Sequence, residues 1–328
     1  MELAQGRRPG PRPRGSRFTR LWRHGDLAVD VLLRFSSLLV VILVAGIGYE
    51  LWINSAQARQ LFGLQFLVTS QWDPVIKQVF GALPYIEGTL ITSLAALLIA
   101  LPLGMGTAIF LAEMAPGWLS QPLGFLVEML AAVPSVVYGL WGLFAFIPGF
   151  VHPLALSLEN GLGFLPLFSG PAFGPSRLAA ALVLTIMILP TVAAISRDVF
   201  HAIPASQREA ALALGATRWE MISQVLLPYG LSGFLGAAVI ALGRALGETM
   251  AVTMVIGNSL DLSPSLLHPG YTMASLIANE FAEANYSLYL SALIEIGLVL
   301  FLITLILNFL ARLLIWRVSH RATAEARA

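Results

Sequence analysis

A chain of 328 residues that is 57% apolar and 11% charged, with a mean hydropathy of +0.80, is too apolar for a soluble domain and reads as an all-α polytopic membrane protein. The formal net charge of +1 hides an uneven distribution, because seven arginines fall within the first 23 residues. The lack of cysteine excludes disulfides and thiolate metal sites, five histidines far apart in sequence give little support to a histidine metal site, and the single lysine, Lys77, outside any Gly-x-x-x-x-Gly-Lys run, excludes a Walker A loop.

Residues 1–26 form a basic tail rich in Pro and Gly, without helical period, the composition of a disordered segment expected to stay cytoplasmic. The apolar run 27–49 exceeds a signal-peptide core and is followed by no small-residue cleavage site, so it is read as an uncleaved first span. Within it Asp30 and Arg34 are spaced to pair on one helix face. Residues 50–87 are mixed, with Trp52, Trp72 and Tyr85 suited to the outer interface. The second span is expected over 88–113, kinked near Pro102 and opened to a neighbour by Gly104 and Gly106. A Pro-Gly turn leads to a third span over 123–147, with Glu128 at a crowded helix interface. Residues 148–177 read as an outer loop, and the fourth span covers 178–200 with Pro190 inside it.

The fifth span, 231–257, carries a Gly-x-x-x-Gly pair, Gly243 and Gly247, expected at a helix contact. A short helix follows at 272–283, then a sixth span over 287–315 in which Glu295 is placed to reach the outer headgroups. The tail 316–328 is polar and basic. Six spans put both termini on one side. Arg197, Arg208, Arg218, Arg312, Arg317, Arg321 and Arg327 fall on that side, against Arg59, Lys77 and Arg177 on the other, so the positive-inside rule makes it the cytoplasm.

Between the fourth and fifth spans, residues 201–228 are of mixed polarity and look built for a partner. Pro204 sets the entry, and Ser206 with Glu209 has capping-box spacing for a short helix running to Gly215. Gly215 stands where a left-handed cap is wanted. Thr217 with Glu220 repeats the box for a second short helix that Pro228 closes. Helices this short need tertiary contacts. The order Glu209-Ala210-Ala211, then Gly215, then Leu227-Pro228 resembles the EAA loop of ABC importer permeases, with Val225 where that pattern has Ile. The resemblance implies the type I ABC importer permease fold over residues 75–315, and a cytoplasmic coupling segment whose Glu209, Ala210, Ala211, Gly215, Leu227 and Pro228 dock on an ATPase.

Arg244 and Glu248 are four residues apart in the fifth span, with Arg244 about 20 Å from its expected start. A charge there costs roughly 2.5 to 3.5 kcal/mol, so Arg244 must face protein, water or its glutamate. Two readings stand: a structural ion pair that fixes register, and a substrate pathway in which the guanidinium fork matches an oxyanion. No nucleophile, base and orienting group come together, so the chain is read as a transport subunit without catalytic residues.

The stretches 131–142 and 241–258 resemble the PstC-type permease subunit of the bacterial phosphate importer. What this implies is a phosphate-transport subunit in a heterodimer with a PstA-like permease. The other implied partners are a PstB-like ATPase dimer that binds the ATP and a PstS-like phosphate-binding protein, with the lipid bilayer around the spans and no nucleic acid. The alternatives are a permease for another oxyanion, sulfate or molybdate, and a membrane scaffold or sensor that docks a cytoplasmic protein without transporting anything.

Overall fold

The computed structural model describes the backbone of residues 17–325 and the side chains of 29–317; the expected basic tail up to residue 16 and the end of the C-terminal tail lie outside the described residues. The chain divides into two units, Met1–Glu50 and Leu51–Ala328. The described part of the first is helical from Arg17, ahead of the expected span, and belongs to α1 (Arg17–Asn54). Its side chains from Val29 onward are largely exposed and apolar, and the expected pair forms, Arg34 Nη2 to Asp30 Oδ2 at 2.8 Å.

The second unit opens with two short helices, α2 (Ala56–Phe62) and α3 (Gln65–Val68). The second span is α4 (Leu83–Ile109), prolonged by a π-helical turn, Phe110–Met114. Then come α5 (Gly117–Ala131) and α6 (Ser135–Trp141), the latter joined through a π-helical stretch, Gly142–Val151, to α7 (His152–Leu162). The fourth span is α8 (Arg177–Ala202), followed by α9 (Ala205–Ala213). After a turn, α10 (Arg218–Glu220) runs through a π-helical segment, Met221–Leu226, into α11 (Leu227–Leu246). Three helices complete the unit: α12 (Met250–Val255), α13 (Met273–Glu280) and α14 (Ser287–Glu325).

Among the described residues six helical stretches are long and apolar enough to cross a membrane: Val29–Asn54, Leu83–Met114, Ser135–Leu162, Arg177–Ala202, Arg218–Leu246 and Ser287–Arg317. The number is the expected one, but the third and fifth spans are not where the sequence puts them. Pro134 is extended, with φ −59° and ψ 139°, and proline disfavours helix at the residue before it. The chain therefore breaks after α5, and the third span begins at Ser135 and ends at Leu162. Its Gly- and Pro-containing part is helix, not outer loop, because Pro148 lies in the π-helical stretch and Pro153 in the first turn of α7, where a missing N–H costs little.

Span α8 is the centre of the bundle. Its Ala179, Ala180, Ala181 and Ala193, with Val183, Leu184, Met187, Ile188 and Val192, are buried. In lipid, helices gain little from apolarity as such and hold together by close packing of small residues. Accordingly Gly104 of α4 lies against Val192, and Gly233 of α11 against Val199. A Cβ added at Gly243 would meet nothing within 4 Å, and one at Gly247 only the Gly243 carbonyl, so among the described residues the expected Gly243/Gly247 pair makes no close helix contact.

At the end of the bundle away from α9, an aromatic cluster gathers Phe66, Trp72, Phe80, Tyr85, Tyr271 and Tyr289. Trp72 Nε1 and the Tyr289 hydroxyl both donate to Glu280 Oε2, at 2.6 and 2.7 Å. Burial pushes the Tyr271 hydroxyl above its ordinary pKa. The N-terminus of α8 is capped by the 255–268 segment: the N–H groups of Ser176, Arg177 and Leu178 donate to the carbonyls of Val255, His268 and Leu266 at 3.0, 3.0 and 2.7 Å. Glu295 is 5% exposed, covered rather than reaching toward headgroups as expected.

Candidate functional site

The segment between α8 and α11 carries the first set of candidate residues. Its first helix starts at Ala205 with Pro204 as the cap, and no side chain caps it, so the expected Ser206–Glu209 box does not form. The reason is register: Pro204, held at φ −56°, begins the helix two residues earlier than the box requires and leaves Ser206 inside the first turn. The helix ends in a complete Schellman motif. Gly215 has φ +88°, its N–H donates to Leu212 O at 3.0 Å, and Ala216 N–H donates to Ala211 O at 3.1 Å. The second box forms as expected, with Thr217 N–H donating to Glu220 Oε2 at 2.7 Å and Glu220 N–H to Thr217 Oγ1 at 3.3 Å.

Pro228 does not close a second short helix. It lies in the first turn of α11, directly after the π-helical turns, and the helix is continuous from Arg218 to Leu246. A widened turn before proline removes the carbonyl clash that would otherwise end the helix. The candidate residues thus divide by face. Ala211 is buried with Ala108, Phe200, Ile203, Met221, Ile222, Leu226 and Phe234, and Leu227 packs against that cluster. Glu209, Ala210, Gly215 and Pro228 are exposed, beside Leu212, Leu214 and Trp219, which stand 48%, 89% and 63% exposed.

Arg244 and Glu248 do not pair. Because the fifth span begins at Arg218, Arg244 falls in the last turn of α11, and the helix is interrupted at Gly247 to Thr249 before α12 resumes. The geometry that would put residues four apart on one face is lost at that break. Arg244 instead donates from Nη1 to Thr191 Oγ1 of α8 at 3.3 Å and from Nη2 to Ala131 O, the last residue of α5, at 3.5 Å. Glu248 Oε1 accepts from the Ala251 N–H at 3.4 Å. Two interrupted helices, α5/α6 and α11/α12, therefore bracket the arginine, and α12 packs on α6, where Gly139 admits Met254 and Ala251. Both contacts of Arg244 are long for charge-assisted hydrogen bonds.

Several charged partners were not legible in the sequence. Arg177, counted there among outer-loop basic residues, is wholly buried and holds Glu87 Oε1 at 3.3 Å and Asp261 O at 2.9 Å. Arg197 meets Glu128 at 3.5 Å, its guanidinium occupying the space Gly124 leaves. Arg208 holds Glu113 at 2.6 Å. The available signal was negative: Glu87 and Glu113 each end an apolar span with no basic residue at helical spacing, so each had to find its cation elsewhere in the chain.

Six membrane-length helical stretches among the described residues, with a short helix and a Gly-capped turn between the fourth and fifth, are the fold of a type I ABC importer permease. The chain belongs to the family described as the binding-protein-dependent transport system inner membrane component, whose profile matches residues 100–320. It is 49% identical to the phosphate transport system permease protein PstC of Pasteurella multocida, over 88% of this chain and 91% of that one. The protein of the same name in Mesorhizobium japonicum is 45% identical over 91% and 92%. Among solved structures, a bacterial alginate ABC transporter chain is similar with a TM-score of 0.57 at 18% identity, covering 89% of this chain and 96% of that one. A chain of the MetNI methionine ABC transporter, inward facing, gives 0.52 at 17% identity over 72% and 94%.

Proposed function

We propose that the chain is a membrane-spanning permease subunit of an ATP-driven importer for inorganic phosphate. The observation that carries this is the run of relatives named phosphate transport system permease protein PstC, at 43 to 49% identity over about nine-tenths of the chain. In this reading the α9 end faces the cytoplasm, supported by Arg197, Arg208, Arg218, Arg312 and Arg317 at or near that end. The exposed face of α9 and its turn, with Glu209, Ala210 and Gly215, docks on a separate ATPase, while Ala211 and Leu227 seat the segment on the bundle. The exposed Leu212, Leu214 and Trp219 are the apolar anchors such a contact uses. The translocation path runs beside a second permease subunit, and a soluble binding protein delivers the anion from the far side.

Arg244 and Glu248 belong to that path. The arginine is only partly buried and loosely held by Thr191 and Ala131, so an oxyanion can take up its fork without breaking a tight ion pair. Glu248, not paired with it, supplies like-charge repulsion that moves the anion onward. The test is uptake of radiolabelled phosphate by proteoliposomes holding this chain with a second permease subunit and an ATPase, ATP inside, binding protein outside and sulfate as competitor. Uptake that needs ATP and ignores sulfate is the expected result. Inhibition by sulfate or molybdate points to another oxyanion, and ATPase binding without any uptake points to a scaffold.

A further inference from the structure

Glu113 closes the π-helical turn at the end of the second span, and its side chain is 7% exposed. A carboxylate so covered needs a cation and several hydrogen bonds, or it costs several kcal/mol. Arg208, from α9, supplies both. Its Nε lies 3.2 Å from each Glu113 oxygen and its Nη2 2.6 Å from Oε1. The same guanidinium donates from Nη1 to Ile203 O at 2.7 Å and from Nη2 to Phe200 O at 2.6 Å. Those carbonyls stand at the C-terminal end of α8, where a helix leaves acceptors unsatisfied and favours positive charge. One planar fork thus joins three elements: α9, the end of the second span and the end of the fourth.

Position on α9 makes this junction directional. Arg208 and Ala211 are three residues apart and share the face turned to the bundle, while Glu209, Ala210 and Leu212 are exposed. Ala211 is held only by apolar packing, which is non-directional and tolerates sliding. The Arg208 fork tolerates little, because two carboxylate oxygens and two carbonyls fix its plane. We propose that the Arg208–Glu113 pair is the latch through which movement of α9 reaches the second and fourth spans, Arg208 acting as a positioning residue for coupling. The latch rests on the reading of α9 as the ATPase-docking segment.

The readout is the stimulation of ATP hydrolysis by phosphate-loaded binding protein in the reconstituted complex, since coupling between two sites is reciprocal. Glu113→Gln and Arg208→Met are expected to lower that stimulation about tenfold, within the range usual for coupling between sites, with uptake falling in step. Arg208→Lys, which keeps the charge and loses the fork, falls between. The double variant Arg208→Met with Glu113→Leu removes the stranded charge and so restores assembly. The latch requires that stimulation stay low in it; a return to the parent value would mean that the pair only stabilises the fold, and would overturn the proposal. Gly215→Pro, which unseats α9 by another route, is measured alongside. If it lowers stimulation while the pair variants do not, the latch alone fails. If Gly215→Pro leaves stimulation intact, the docking role of α9 fails and the latch with it.

Discussion

Arg244 of α11 donates to the hydroxyl of Thr191 on α8 at 3.3 Å, a contact between the end of an interrupted helix and the most buried span of the bundle. A hydrogen bond to a charged group contributes about 1.5 to 3 kcal/mol, but one this long lies at the weak end. Thr191→Val is therefore expected to lower phosphate uptake about fivefold, corresponding to about 1 kcal/mol. Arg244→Gln, which removes the charge, is expected to lower it at least about tenfold while purified complex is recovered in near-normal yield. Quantifying complex beside uptake separates the roles: loss of both in proportion makes Arg244 a packing residue.

A different outcome is expected at the other end of the fourth span. Arg177 is fully buried, and Gly270 leaves the space that its side chain fills. Replacing one member of a buried pair strands the other, at a cost of roughly 3 to 5 kcal/mol. Glu87→Gln, which strands the wholly buried Arg177 charge, is thus expected to lower the thermal stability of the detergent-purified subunit by several degrees, and Arg177→Met, which strands a carboxylate still partly exposed, by less. Gly270→Ala, which sets a methyl group against the Arg177 side chain, is expected to resemble Arg177→Met. Melting temperatures equal to the parent's would show that the 255–268 segment holds α8 without the arginine.

Trp72 offers a smaller, cleaner case. Its indole N–H and the Tyr289 hydroxyl share one oxygen of Glu280, and its ring meets Phe80 edge-on at 4.8 Å. Trp72→Phe keeps the ring contacts and leaves Glu280 one donor, so about 1 kcal/mol is expected. Glu280→Leu strands two buried donors and is expected to cost more, about 2 to 4 kcal/mol. Chemical denaturation of the two variants in the same detergent tests the ranking, and equal losses would contradict it.

Much of the architecture was legible because lipid imposes a simple rule: about 20 apolar residues make a span, and the sequence contains six such runs. The Gly215 cap and the Thr217–Glu220 box were legible for a related reason, since both depend on contacts within six residues. Failures concentrate at prolines. Pro134 breaks a run that hydropathy alone joins, whereas Pro148 and Pro228 leave runs intact because π turns absorb them, and hydropathy carries no record of which will happen. The Arg244–Glu248 spacing misled in the same way, since helical spacing has meaning only where the helix is unbroken. Arg208 to Glu113 and Arg177 to Glu87 lie 95 and 90 residues apart in sequence, and only the packing of distant spans brings them together.

Gly215 provides the sharpest test of the α9 turn. At φ +88° with no atom within 4 Å of an added Cβ, the constraint is backbone conformation rather than space. A left-handed non-glycine residue costs about 1 to 2 kcal/mol, so Gly215→Ala is expected to keep the turn and most of the uptake. Gly215→Pro cannot adopt positive φ and also loses the N–H that Leu212 accepts, so the Schellman motif is abolished. Uptake is then expected to fall to background while the subunit inserts at the parent level, as judged by immunoblot of membranes. Ala211→Glu, which forces a charge into the cluster around Phe200 and Phe234, is expected to do the same from the buried face. Normal uptake by Gly215→Pro at normal protein level would mean that the geometry of this turn plays no part in coupling.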